Sequence, residues 1–448
     1  MEQTTLDIFD FLLPPFYLLI IFFYARSVVA KNVNTKSHYK YLLPALICKV
    51  VGGIGLCLVY TFYYTEGGDV VNYFLSTTTY VNVLLQGHFS KFFEMLDYKE
   101  NNIWAILSYS NSYGYFLFAP TDYYALFTVS ITIPFCLLAF KSFIATTILL
   151  SSFSFIGLWK LYEVFIDQFP TLKRQFAISI FFIPSVFFWG SGILKDTYTL
   201  SSIGFFIFGL YNFQILKKRK VKYFLMILIS AIVFINIKPY YLFALLPGSL
   251  LWIFFNRIQR ISNQFLKVTI IPFVLVVLFA AVILIFNNFG SYLGEYSLDK
   301  ILSKAVKTQQ DLVRSAYGSN SYNIGEFDAS IGSIITKVPA ALNLALFRPY
   351  IWDARNPVMV LSGLENLFML GFSIYIVIRV KFSILLRSLF SHPLLIFSFL
   401  FSLFFAFSVG LTTANYGALA RLKIPCIPFY LSSLFILYSL NKESFKRK

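Results

Sequence analysis

The stretch 41-YLLPALICKVVGGIGLCLVYTFY-63 decides the class of this chain. It is apolar over the length that crosses a bilayer, where about 20 helical residues are needed to span ~30 Å of hydrocarbon. An earlier apolar run lies at about 11–25, and others follow at about 123–140, 143–163, 176–190, 198–216, 223–237, 241–255, 268–286, 358–378, 393–410 and 422–440. The runs are continuous rather than alternating, which excludes a membrane β-barrel. Of the 448 residues, 58% are hydrophobic and 13% charged, and the mean hydropathy is +0.72. A soluble fold could not bury that much apolar surface and stay wettable. The expected fold is all-α: a polytopic transmembrane helix bundle of about 10–12 segments. It would form one domain over residues 1–448, with interfacial helices on its outer face.

The 37 Lys and Arg residues exceed the 20 Asp and Glu, leaving +17. In a soluble protein that excess points to nucleic acid. Here it falls in short runs between apolar segments, such as 217-KKRKVK-222 and 442-KESFKRK-448. That is the bias of cytoplasmic loops, and no nucleic-acid motif competes with it. Cys48, Cys57, Cys136 and Cys426 all fall within apolar segments without metal-ligand spacing. The acidic start (Glu2, Asp7, Asp10) lacks the basic region of a cleaved signal peptide.

The basic loops predict an N-terminus outside and a C-terminus in the cytoplasm. Residues 64–122 then form an outer loop, with the mixed stretch 73–100 read as interfacial helix. A crossing at 103–119 is left open by the count. A second, long outer loop runs over 287–357, and its part 298-LDKILSKAVKTQQDLVRSA-316 has the periodicity of a helix lying along the interface.

Polar groups collect on the outer side in four elements. In 65-TEGGDVVNYF-74, Asp69 follows two glycines at a membrane exit and is either a helix N-cap or a general base. In 184-PSVFFWGSGILKDTYTL-200, Lys195 either neutralises Asp196 or offers a cation to a phosphate, and Lys238 before Pro239 permits the same two readings. In 346-LFRPYIWDARNP-357, followed by 362-SGLEN-366, Arg348 and Arg355 suit bidentate phosphate recognition, lipid headgroups or a pair with Asp353. In 413-TANYGALARLKIPCIPF-429, Arg421 and Lys423 lie on the side that basic residues usually avoid, which an anionic ligand would explain. No zinc motif, phosphate loop, nucleotide-binding glycine fingerprint or serine nucleophile elbow is present. His38, His88 and His392 are far apart in sequence.

These elements resemble a group of bacterial inner-membrane proteins of surface polysaccharide assembly. The motifs that carry the resemblance are Gly67-Gly68-Asp69, Phe188-Trp189 through Ser191-Gly192 to Lys195-Asp196, and Phe347-Arg348-Pro349 with Trp352-Asp353-Ala354-Arg355-Asn356. Asn415-Tyr416-Gly417, Arg421, Pro425 and Pro428 complete the set. The layout resembles both the GT-C superfamily of membrane glycosyltransferases and the O-antigen polymerases, departing from many GT-C enzymes in having Val70 after Asp69. The resemblance implies sugar transfer or polymerisation from a polyprenyl-(pyro)phosphate-linked donor to a glycan acceptor, at the outer face of the cytoplasmic membrane. Asp69 would be the catalytic base; Lys195, Lys238, Arg348, Arg355 and Arg421 would bind the substrate phosphate. No cofactor is expected, with a divalent metal left open. Membrane lipid and other polysaccharide assembly proteins are the expected partners. The alternative is a transporter or flippase for a lipid-linked oligosaccharide.

Overall fold

A computed structural model describes residues 6–64, 68–97, 122–260, 330–355, 357–413 and 415–446, with isolated positions at 106, 109, 112–114, 303, 306, 322, 324, 325, 327 and 328. The expected segment at 268–286, most of 298–316, most of 103–119 and Gly67 lie outside the described residues.

The protein is an all-α, multi-pass membrane bundle. Among the described residues, five helices are long and apolar enough to cross a membrane: Phe9–Asn32, Ser37–Phe62, Phe143–Gln168, Met359–Arg379 and Pro393–Thr412. A sixth is obtained by counting Tyr416–Leu422 with Cys426–Lys442 as one span bent by 65°. The sequence reads 422–440 as continuous. The bend falls at Lys423–Pro425, where the proline disfavours helical backbone at the residue before it. Five shorter apolar helices of 10–17 residues accompany these, among them Tyr123–Leu138 and Val221–Ile237.

Two further expectations are revised. The run 176–190 is not one segment: helix Lys173–Phe181 stops, and Pro184–Trp189 starts a separate short helix. The stretch 73–100 forms two helices, Asp69–Leu85 and Phe89–Leu96, and more than half of the first is buried in protein rather than showing one wet face.

The chain divides into two compact units. The first comprises Met1–Val164, Val186–Gly209 and Val221–Lys238. Within lipid, helices associate by close packing, so small side chains mark the contacts. A Cβ on Gly204 would run into the Gly157 carbonyl, and one on Gly157 into that of Ser201, so these two glycines bring helices Phe143–Gln168 and Lys195–Leu210 backbone to backbone. Thr132 and Tyr198 share a 2.7 Å hydrogen bond that ties Tyr123–Leu138 to the same helix. Asp10 closes the head of Phe143–Gln168, accepting from Ser142 Oγ at 2.6 Å and from the Ile144 N–H at 2.8 Å. Lys49, buried in the helix Leu42–Phe62, donates to the Gly190 carbonyl and pins the turn before Lys195.

The second unit comprises Phe165–Ser185, Leu210–Lys220 and Pro239–Lys448. Its core is the helix Pro393–Thr412. Gly410 lets it approach the Ala341 backbone of Val338–Phe347, and Gly248 lets Tyr240–Gln259 approach Phe397. Phe401 meets Phe429 of the last helix edge-on at 4.8 Å. Ser179 and Ser432 share a buried 2.7 Å hydrogen bond that holds Lys173–Phe181 against that same helix.

Candidate functional site

In the first unit the helix Asp69–Leu85 begins at Gly68, whose φ of +148° favours glycine. Any Cβ there would also press on the Tyr60 ring at 2.6 Å. Gly68 is itself the N-cap, so Asp69 is the first helical residue and not the cap that its position in sequence allowed. The helix dipole favours a negative charge in that first turn.

Asp122 heads the next wall of the site. Its Oδ1 caps Tyr123–Leu138 by accepting from the Ala125 N–H at 2.9 Å, and the same oxygen faces Lys195 Nζ at 3.6 Å. Lys195 also lies 6.0 Å from the centre of the Tyr124 ring. Burial holds the Lys195 ammonium below the usual lysine range; Asp122 and Asp69 oppose that as stabilising charges, and Lys238 adds to it. Lys238 itself closes an ion pair with Asp196, whose side chain is fully buried. The neighbours in sequence are thus not the partners in space: Asp196 belongs to Lys238, and Lys195 to Asp122.

In the second unit Arg348 turns its fork on Asp353, with Nε to Oδ2 at 2.9 Å and Nη2 to Oδ1 at 2.8 Å. Asp353 Oδ2 also accepts the Tyr350 N–H at 2.9 Å, and the Tyr416 hydroxyl donates to the same carboxylate. Burial pushes the Asp353 carboxyl up, but Arg348 and these donors outweigh it and hold the group below the usual carboxylate range. The same pairing raises Arg348.

Lys423 has partners within the protein. Its Nζ donates to Asn366 Oδ1 at 2.6 Å and to the Arg348 carbonyl at 3.2 Å, while Asn366 Nδ2 donates to the Pro349 carbonyl at 3.0 Å. The buried Lys423 therefore fixes the main chain of the Arg348 turn, a use that needs no ligand. One residue away, Glu365 accepts from Ser185 Oγ at 2.6 Å and from the Ser185 N–H at 3.0 Å.

Of the expected site residues, Asp69, Lys195 and Lys238 belong to the first unit, while Arg348, Arg355 and Arg421 belong to the second. Arg355 is exposed at the end of its turn, and Arg421 is half-buried in the short helix Tyr416–Leu422. Asp122 was missed, although an Asp directly before the apolar run at 123 is an ordinary N-cap signal. Among the described residues, no three His, Cys, Asp or Glu side chains gather to hold a metal ion.

Comparison with known proteins finds no family model, no curated protein and no solved structure that matches this chain.

Proposed function

We propose that this protein transfers or polymerises sugars from a polyprenyl-(pyro)phosphate-linked donor, at the outer face of the cytoplasmic membrane, in cell-surface polysaccharide assembly. The observation that supports this reading is the placement of Lys195 within the electrostatic reach of two carboxylates at helix heads, Asp122 and Asp69. A carboxylate and a cation at one membrane-edge site are what the chemistry requires. Asp69 takes the proton of an acceptor hydroxyl as its oxygen attacks the anomeric carbon. The bond from that carbon to the phosphate oxygen breaks, and the leaving group carries the electron pair away. Phosphate leaves readily once its charge is neutralised, so a cation serves better than a strong acid.

Lys195 is the cation best suited to that role. Its 3.6 Å separation from Asp122 is longer than the ~2.7–2.9 Å of a closed ammonium–carboxylate hydrogen bond, so a phosphate can compete for it. Lys238 and Arg348 already hold buried or forked carboxylates, and displacing those costs more. Arg355, exposed on its turn, remains a proposed phosphate contact of the second unit. Arg421 remains a proposed contact of the same kind.

A flippase is the second reading, and one observation favours it: Lys49 and Glu365 are ionisable groups buried within membrane-length helices, where such groups commonly mark a transport path. A strain lacking the protein separates the two. The transferase reading predicts that a polyprenyl-linked sugar accumulates on the outer leaflet, open to periodate oxidation in intact spheroplasts. Accumulation on the inner leaflet, protected until the membrane is opened, would sink it in favour of the flippase.

A further inference from the structure

The second unit holds an aromatic arrangement that phosphate binding does not use. Trp352, in the short turn Ile351–Asp353, is 76% exposed. Its ring stacks on Tyr350 with centroids 4.8 Å apart and planes at 30°. The Arg348 guanidinium lies 5.4 Å from the Tyr350 ring and 5.5 Å from that of Tyr416. Tyr416 in turn packs at a tilt of 43° against the buried Tyr322, with centroids 4.8 Å apart. The result is a ladder of four rings and one cation, buried at Tyr322 and open at Trp352.

The rungs next to Trp352 are tied. The Tyr350 hydroxyl donates to Asn343 Oδ1 at 2.9 Å. Its N–H and the Arg348 fork share Asp353, and Lys423 and Asn366 hold the Arg348–Pro349 main chain from below. An exposed indole on a loop ordinarily loses rotamer freedom when a ligand stacks on it, which weakens binding. Here the stack on Tyr350 restricts that freedom before any ligand arrives. The rim is polar, with Asn343 and Arg355 both exposed beside the turn.

We propose that the Trp352–Tyr350 stack is a carbohydrate platform, a subsite for one pyranose ring of the glycan. This rests on the reading of the protein as a sugar transferase. A pyranose offers a face of C–H groups whose partial positive charge suits the negative face of an aromatic ring, and its removal from water adds the hydrophobic term. The ring's edge carries hydroxyls, which the Asn343 amide and the Arg355 guanidinium can bond. Arg348 acts in this site as a rung beneath Tyr350, and its contribution is to position the platform. The competing use of an exposed tryptophan in a membrane protein is as an anchor at the lipid–water boundary.

The two uses separate in tryptophan fluorescence of the whole protein in nanodiscs. Subtracting the emission of Trp352→Phe from that of the native chain isolates Trp352. The probe is oligosaccharide released by mild acid from the host's own surface polysaccharide, with dextran as control. The platform predicts that iodide in the water quenches Trp352, that the oligosaccharide protects it, and that dextran does not. It also predicts roughly tenfold weaker oligosaccharide binding in Trp352→Leu, the equivalent of ~1.4 kcal/mol. Quenching by lipids brominated in their acyl chains, with no effect of iodide, would make Trp352 an anchor and overturn the proposal. Iodide quenching that saturating oligosaccharide leaves unchanged would overturn it as well. The same titration on Asp69→Asn keeps the two readings apart. Protection that persists while transfer is lost supports both, whereas loss of transfer with no protection in either protein removes the platform alone.

Discussion

Asp69→Asn should abolish polysaccharide product while the protein stays in the membrane at its normal level. The substitution is isosteric and removes only the charge and the basicity. The cap of the helix Asp69–Leu85 is Gly68, so no cap is lost with the carboxylate. What is lost structurally includes a first-turn charge on the helix dipole, about 0.3–1 kcal/mol, and the attraction for the Lys195 ammonium, so the membrane level is measured beside the product. Loss of a general base, by contrast, removes about 10²–10⁴ in rate. Product yield and membrane level, measured side by side, therefore read different things. Near-normal product would reduce Asp69 to a partner of the dipole.

Lys238→Met should have the largest effect on stability. Asp196 is fully buried and ion-paired with Lys238 within the first unit. Removing the ammonium leaves a buried carboxylate without its countercharge, which costs about 3–5 kcal/mol. Joint replacement with Asp196→Leu removes the orphaned charge and should recover most of the loss, because a buried pair exchanged for apolar side chains of similar size is often neutral. Thermal unfolding in detergent of the single and double variants measures this directly. A single variant as stable as the native protein would mean that the pair is not a structural closure, and would return Lys238 to the list of phosphate contacts.

The class of this protein was legible because transmembrane segments are a length of apolar chain, and a run such as 41–63 states that length outright. Asp69 and Lys195 were conspicuous because charges beside glycine turns in apolar surroundings are expensive. Partner choice was not. Lys195 and Asp196 are adjacent in sequence, yet at a helix head adjacent side chains point in different directions. Which carboxylate each lysine meets depends on how Tyr123–Leu138 and Val221–Ile237 pack beside Lys195–Leu210. That packing is set by contacts such as Thr132 to Tyr198, which no local pattern announces.

Lys423 teaches a similar lesson. Expected on the side that basic residues avoid, Lys423 invited an anionic ligand as explanation. Its partners are instead an amide and a main-chain carbonyl from segments 57 and 75 residues away. Long-range hydrogen bonds of this kind leave no trace in hydropathy. The Trp352 platform was hidden for the opposite reason. An aromatic in a chain with 54 Phe and 30 Tyr is unremarked until its stacking and exposure are known.

The most direct test is a reconstituted reaction. The purified protein, placed in liposomes with the polyprenyl-linked sugar that accumulates in the deletion strain, should release free polyprenyl-(pyro)phosphate as glycan grows on an added acceptor. Asp69→Asn should release none. If the lipid-linked sugar instead crosses from one leaflet to the other with its glycosidic phosphate bond intact, the protein is a transporter and the proposed chemistry is wrong.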